Sequence, residues 1–211
     1  MVREGYPFVI IPFIFAVLLA LLQIWLGLSA FLWLVAGALF FLTLFMAFFF
    51  RDPHRDIPLD KNIIVSAADG RVTRIEENES GKLVSVFLSP IDVHINRAPI
   101  AGKISSVNYV TGRKVPATSN NASFVNERNS LTIEGENISV VCTQIAGIVA
   151  RRIVCWYKEG DSLELGEKFG LIKFSSRTDL LMPTNIEILV KIGDRVIGGE
   201  TIIGRIKPAR N

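Results

Sequence analysis

From Pro7 to Phe50 the chain contains no Asp, Glu, Lys or Arg, and this stretch constrains the fold more than any other feature. As one helix its 44 residues would run about 66 Å, roughly twice the hydrocarbon core of a bilayer. It has to fold back. Gln23, Gly27, Ser29 and Ala30 are the polar and small residues near its middle, and they divide it into spans of about 7–26 and 28–50, each about one membrane thickness. The expectation is a two-helix membrane hairpin over residues 1–50. A secretory signal has a much shorter apolar core and a small-residue cleavage site, which this run does not match. Arg3 before the first span, with Arg51 and Arg55 after the second, places both ends and the following domain on the cytoplasmic side of the cell membrane.

The remainder reads as an ordinary globular mixture. Arg3 and Glu4 cancel, so the formal charge of +3 belongs to the part after residue 50. That charge gives a weak attraction to anionic headgroups. No dense Lys/Arg stripe with interleaved aromatics is present, so nucleic acid is not expected as a partner. Cys142 and Cys155 are too few for a disulfide framework and are expected as free, buried thiols. With two histidines, His54 and His94, and no Cys-x-x-Cys, no metal site is expected.

Residues 51–62, with Pro53, Pro58 and several charges, suit an extended linker in which His54 is solvated. From Ile63 to the end, short apolar or alternating runs recur between Gly, Asn and Asp turns, at 84–88, 104–110, 131–133, 138–143, 148–156, 186–192 and 201–206. No amphipathic helical segment of similar length separates them, which predicts a mainly β, antiparallel domain over 63–211. One internal repeat, G-D-x-[LV]-x-x-G-E, occurs at Gly160–Glu167 and again at Gly193–Glu200. Each copy should make a tight turn in which glycine supplies positive φ. The pattern resembles the turns of biotinyl and lipoyl carrier domains and related sandwich barrels, although neither copy presents the carrier lysine.

Four further segments carry the chemistry: Ala67-Ala-Asp69-Gly-Arg-Val72, Leu88-Ser-Pro-Ile-Asp-Val-His94-Ile-Asn-Arg97-Ala-Pro99, Asn126-Glu-Arg-Asn129 and Phe169-Gly-Leu-Ile-Lys-Phe-Ser175-Ser176-Arg-Thr-Asp-Leu180. Together with the hairpin and Ala150-Arg-Arg-Ile153, they make the chain resemble the short form of phosphatidylserine decarboxylase over nearly its whole length. That resemblance implies a proenzyme that cuts itself between Ser175 and Ser176 into a β chain, 1–175, and an α chain, 176–211. The two would remain together as a heterodimer, with further oligomerisation open.

Serine is required by the chemistry that the resemblance implies. Its hydroxyl attacks the preceding carbonyl, the resulting ester undergoes β-elimination, and hydrolysis leaves a pyruvoyl group as a covalent cofactor derived from Ser176. That ketone forms a Schiff base with the serine amine of a membrane phospholipid and accepts the electrons released with CO₂, giving phosphatidylethanolamine from phosphatidylserine. His94 is the neutral-range base of the globular part, and Asp69 is its orienting carboxylate by Ser-His-Asp logic. Arg97 is the candidate for the headgroup phosphate, or pairs with an acid. Lys173 and Arg177 either meet headgroups or lie on solvated surface.

Two positions depart from the family pattern. Arg97 stands where the long form has a second histidine, assigned there to self-cleavage, so the base for that step stays open here. Ser175 stands where glycine is usual, which would cost on the order of 1 kcal/mol if its φ is positive. Other readings are a decarboxylase of another serine phospholipid, such as archaetidylserine, and a non-catalytic membrane-anchored adaptor with a lipoyl-like domain.

Overall fold

The computed structural model describes residues 1–27, 29–113, 115–117, 119, 121–148, 152–174 and 176–207. It forms two compact units, Met1–Pro53 and His54–Asn211.

The first unit is a pair of helices, α1 (Tyr6–Leu26) and α2 (Ala30–Phe49). Pro7 falls in the first turn of α1, where a missing N–H costs nothing. Gly27, left-handed at φ 59°, ends the helix by donating its N–H to the Gln23 carbonyl at 2.9 Å. Ser29 caps α2: its Oγ accepts the Phe31 N–H at 3.3 Å, while its own N–H goes to Gln23 Oε1 at 3.0 Å. The polar residues that interrupt the apolar run are therefore the ones that close the turn. Both helices are long and apolar enough to cross a membrane by length and composition. They leave Trp25 82%, Phe41 72% and Leu34 70% exposed, far more apolar surface than water tolerates and appropriate to hydrocarbon.

The second unit contains β1 (Ile63–Val65), β2 (Gly70–Asn78), β3 (Gly81–Leu88), β4 (Ile95–Arg97), β5 (Gly102–Val110), a one-turn helix α3 (Ala122–Val125) and β6 (Arg128–Glu134). There follow β7 (Ser139–Ala146), β8 (Arg152–Cys155), β9 (Ser162–Leu163), β10 (Lys168–Lys173), β11 (Ser176–Met182), β12 (Ile186–Ile188), β13 (Arg195–Val196) and β14 (Ile202–Ile206). Antiparallel pairing joins β13-β2-β3-β11-β7-β6-β5-β9 into one sheet, beside smaller sheets β1-β14-β12 and β4-β10-β8. The mainly β, antiparallel expectation holds.

Alternation explains which residues face inward: Asn129, Leu131 and Ile133 of β6 are buried, with half-buried residues between them. β11 differs, because every residue from Ser176 to Leu180 is buried. A strand enclosed on both faces normally reads as an apolar run. This one carries Ser, Arg, Thr and Asp, so each polar side chain needs a partner or a purpose.

The Gly-Asp repeat makes two turns with matching bonds. Gly160, Gly166, Gly193 and Gly199 all have positive φ, at 93°, 73°, 97° and 83°. Asp161 accepts the Lys158 N–H at 2.9 Å, and Asp194 accepts that of Lys191 at 2.8 Å. Gly160 N–H donates to the Ile104 carbonyl and Gly193 N–H to Val72, both at 2.8 Å; Gly166 N–H donates to Ala98 and Gly199 N–H to Ser66. Residues 66–72 and 98–104 thus form a second, less visible repeat in which Asp69 corresponds to Ala101. Both thiols are free, and burial pushes that of Cys142 well up.

Candidate active site

Ser176 opens β11 and sits between Leu88 of β3 and Ala146 of β7. It is fully buried, and its Oγ has no hydrogen-bond partner among the described residues. An unsatisfied buried hydroxyl costs about 1–3 kcal/mol, so an ordinary packing role is a poor account of a serine here. Ser175 lies outside the described residues. The residue before it, Phe174, has φ 66°, a left-handed conformation that no other described non-glycine residue adopts. For a side chain of this kind that costs about 1–2 kcal/mol.

Asp69 and Gly70 lead into β2, across β3 from Ser176. Arg71 and Arg177 both pair with Phe87, so Gly70 and Ser176 stand level at the end of β3, two strand spacings or about 10 Å apart. Glycine is needed at 70, because a Cβ there would fall 2.1 Å from the Phe87 carbonyl oxygen. Asp69 is more than a turn former: Oδ2 takes the Arg55 guanidinium at 2.7 Å and Oδ1 takes the Gly198 N–H at 2.9 Å. Burial pushes its carboxyl above the usual carboxylate range, offset in part by Gly198 and Arg55, while the charge of Asp92 adds to the rise.

His94 precedes β4 and is buried. Its carbonyl accepts the Ile172 N–H at 3.2 Å, which ties it to the end of β10, four residues before Ser176 in the chain. Its Nδ1 lies 2.9 Å from the Asp92 carbonyl. A carbonyl only accepts, so Nδ1 carries a proton in this bond, and it is the Asp92 backbone, not the Asp69 carboxylate expected from the sequence, that holds the ring. The Asp92 carboxylate is held in turn by the Ser89 N–H and hydroxyl and by Arg195 at 2.7 Å.

Arg97 is buried, with Nη1 donating to the Gly166 carbonyl at 3.0 Å; a Cβ on Gly199 would lie 2.9 Å from its Cδ. Arg177 is not a surface or headgroup cation. It is 3% exposed, paired through Nε with Asp179 Oδ1 at 2.8 Å, and it donates to the Ala117 and Ser119 carbonyls and to Ser123 Oγ. His54, as expected, is solvated, its side chain 92% exposed.

Sequence reasoning missed two features. The linker does not simply pass by, since Arg55 reaches in to Asp69 and lies 3.9 Å from Glu200. A buried amide chain also runs from Asn129 through Gln144 and Asn96 to Thr178. Polar residues at inward positions of β6, β7 and β11 were the available signal. Among the described residues no group of three or more His, Cys, Asp or Glu side chains is placed to hold a metal. A cavity of about 520 Å³, lined by residues that include Ile57, Leu59, Ile100, Ala101, Glu164 and Leu165, contains none of the residues above.

A family profile described as phosphatidylserine decarboxylase matches residues 42–204. Curated relatives named phosphatidylserine decarboxylase proenzyme align over nearly the full chain. That of Carboxydothermus hydrogenoformans is 45% identical over 98% of this chain and 97% of its own length. Those of Geotalea uraniireducens and Wolbachia pipientis are 42% and 40% identical, over 95% and 97% of this chain and 94% and 90% of their own lengths.

Proposed function

The chain belongs to the phosphatidylserine decarboxylase family of carboxy-lyases, and from that premise we propose that it decarboxylates phosphatidylserine to phosphatidylethanolamine and CO₂ using a pyruvoyl group made from Ser176. The observation that carries the cofactor reading is the buried Ser176 hydroxyl without a partner among the described residues. It lies two residues past the strained Phe174. Strain of this kind persists where surrounding structure enforces it and concentrates at functional sites.

In the proposed self-cleavage, Ser176 Oγ attacks the carbonyl carbon of residue 175, and the peptide C–N bond breaks as an ester C–O bond forms. Elimination then breaks the Cβ–O bond, releasing the 1–175 carboxylate. Addition of water and loss of ammonia leave the new N-terminus of 176–211 as a pyruvoyl. Once formed, that group supplies a carbonyl electron sink for loss of CO₂ from an amine-linked substrate.

His94 fits the role of proton carrier, with Nδ1–H fixed on the Asp92 carbonyl and the exchangeable site at Nε2. Asp69, held by Arg55 and Gly198 and with its carboxyl raised by burial, is the second acid–base group. Arg97, the headgroup candidate, is buried with its guanidinium on the Gly166 carbonyl, so binding a phosphate would require it to leave that contact. The hairpin would anchor the chain in the membrane that carries the substrate, and the Arg residues at its ends favour a cytoplasmic catalytic domain.

The test is release of labelled CO₂ from carboxyl-labelled phosphatidylserine in detergent micelles, with and without hydroxylamine, which captures ketones. Release blocked by hydroxylamine supports the proposal. Absence of release, or release indifferent to hydroxylamine, contradicts it.

A further inference from the structure

The side-chain amide of Asn96 joins three chain segments at one buried point. Its Nδ2 donates to Thr178 Oγ1 at 2.9 Å and lies 3.4 Å from the Ala67 carbonyl; its Oδ1 accepts from Gln144 Nε2 at 2.9 Å. Thr178 is two residues past Ser176 and on the same face of β11, Ala67 is two residues before Asp69, and Asn96 itself is two residues past His94. One amide therefore fixes the mutual register of the segments that carry all three site residues.

The chain of bonds behind it has one polarity. Asn129 Nδ2 donates to Gln144 Oε1 at 3.0 Å, Gln144 to Asn96, and Asn96 to Thr178. Turning any one amide over would set oxygen against oxygen or N–H against N–H, so each orientation enforces the next. All four side chains are at most 2% exposed. An apolar layer of equal volume would hold the sheets together at least as well, because buried polar groups gain little net stability. What the network adds is fixed geometry.

We propose that Asn96 is a positioning residue that acts through Thr178 to hold Ser176 in register with His94 and Asp69, in self-cleavage and then in decarboxylation. This rests on the Ser176 reading above. Asn96 touches neither the bond to be cut nor the substrate in this account, and its effect lies in alignment. Errors of about 1 Å in such alignment can cost roughly 100-fold in rate.

The experiment uses the full-length chain in detergent with Asn96→Leu, Thr178→Val and Thr178→Ser, each compared with the parent. Appearance of the 176–211 fragment is followed by mass, and kcat and KM are expressed per pyruvoyl, counted by reductive trapping with a labelled amine. Asn96→Leu and Thr178→Val should cleave roughly 10- to 100-fold more slowly and show a similarly reduced kcat per pyruvoyl with KM within about twofold. Thr178→Ser, which keeps the hydroxyl, should stay within about threefold of the parent. Should Asn96→Leu fail to fold, Thr178→Val against Thr178→Ser decides, since valine keeps the volume and removes the acceptor. Folded variants with parental cleavage and parental kcat per pyruvoyl overturn the inference, as does a Thr178→Ser variant no better than Thr178→Val. A parent chain that never cleaves or gains a pyruvoyl overturns the decarboxylase reading itself, which is a different result.

Discussion

In the half of the β domain built on Gly193–Glu200, the Gly198 N–H is donated to the Asp69 carboxylate; in the half built on Gly160–Glu167, the corresponding positions, Leu165 and Ala101, line a cavity. The backbone bonds around them match, with Gly193 on Val72 facing Gly160 on Ile104, and Gly199 on Ser66 facing Gly166 on Ala98. The acidic residues ending the two copies also diverge. Glu200 accepts the Asp56 N–H at 3.1 Å beside Arg55, whereas Glu167 accepts the Glu164 N–H at 2.7 Å and the Tyr157 hydroxyl, pushing that hydroxyl up to about 12. A repeated frame thus supplies the turns twice, and the linker's Arg55 meets Asp69 at one copy alone among the described residues. The repeat is architectural, and under the proposed function the chemistry is local to one copy.

Exchanging the differing residues should separate the two halves by the largest factor. Asp69→Ala should lower self-cleavage and turnover by at least about 100-fold, as expected for loss of an acid–base group, while Ala101→Asp on the other half leaves both within about twofold. Fragment appearance and CO₂ release check both. A comparable loss from Ala101→Asp would mean that the halves are not functionally distinct.

A smaller effect is expected at Phe174. Phe174→Gly relieves a left-handed backbone that costs about 1–2 kcal/mol, so it should slow cleavage by up to about 30-fold, measured as precursor half-time, without changing kcat per pyruvoyl. Unchanged or faster cleavage would show that the strain does not assist the cut.

The frame itself should respond alike in both halves. Added Cβ atoms at Gly160 and Gly193 would meet nothing within 4 Å, so Gly160→Ala and Gly193→Ala should each cost about 1 kcal/mol, read from denaturant midpoints, through positive φ alone. Gly199→Ala should cost more than either, because its Cβ would also press on the Arg97 stem.

The least effect is a slope with pH. The native Asp69 carboxyl is raised above its ordinary value of 3.8, so between that value and its native pKa the folded chain binds more protons than the unfolded one. Its contribution to stability is therefore fully present below 3.8 and is lost as pH rises through the native pKa. Asp69→Asn should flatten that part of the stability profile, measured by chemical unfolding across the acid range.

Local features were legible in the sequence, and non-local ones were not. The helical hairpin follows from missing charge, and its turn falls on Gln23, Gly27 and Ser29 because these alone near the middle can satisfy or bend a backbone. The Gly-Asp turns were readable because Asp bonds its own neighbourhood and Gly has the required φ. By contrast, Arg55 reads as a membrane-flanking cation until the fold brings Asp69 14 residues later to meet it. Arg177 reads as a surface cation although Asp179 lies two residues away, because the Ala117 and Ser119 carbonyls that enclose it come from about 60 residues away. The second repeat, 66–72 with 98–104, keeps little beyond Gly70 and Gly102, because its equivalence resides in backbone bonds that many side chains permit.

Conversion of Ser176 into the cofactor is read out by intact mass spectrometry of the membrane-extracted chain beside Ser176→Ala. Fragments 1–175 and 176–211 are expected, the latter with an N-terminal pyruvoyl, and a single uncut chain for the variant. An uncut parent in the presence of phospholipid, or a Ser176→Ala chain cut at the same place, would contradict it.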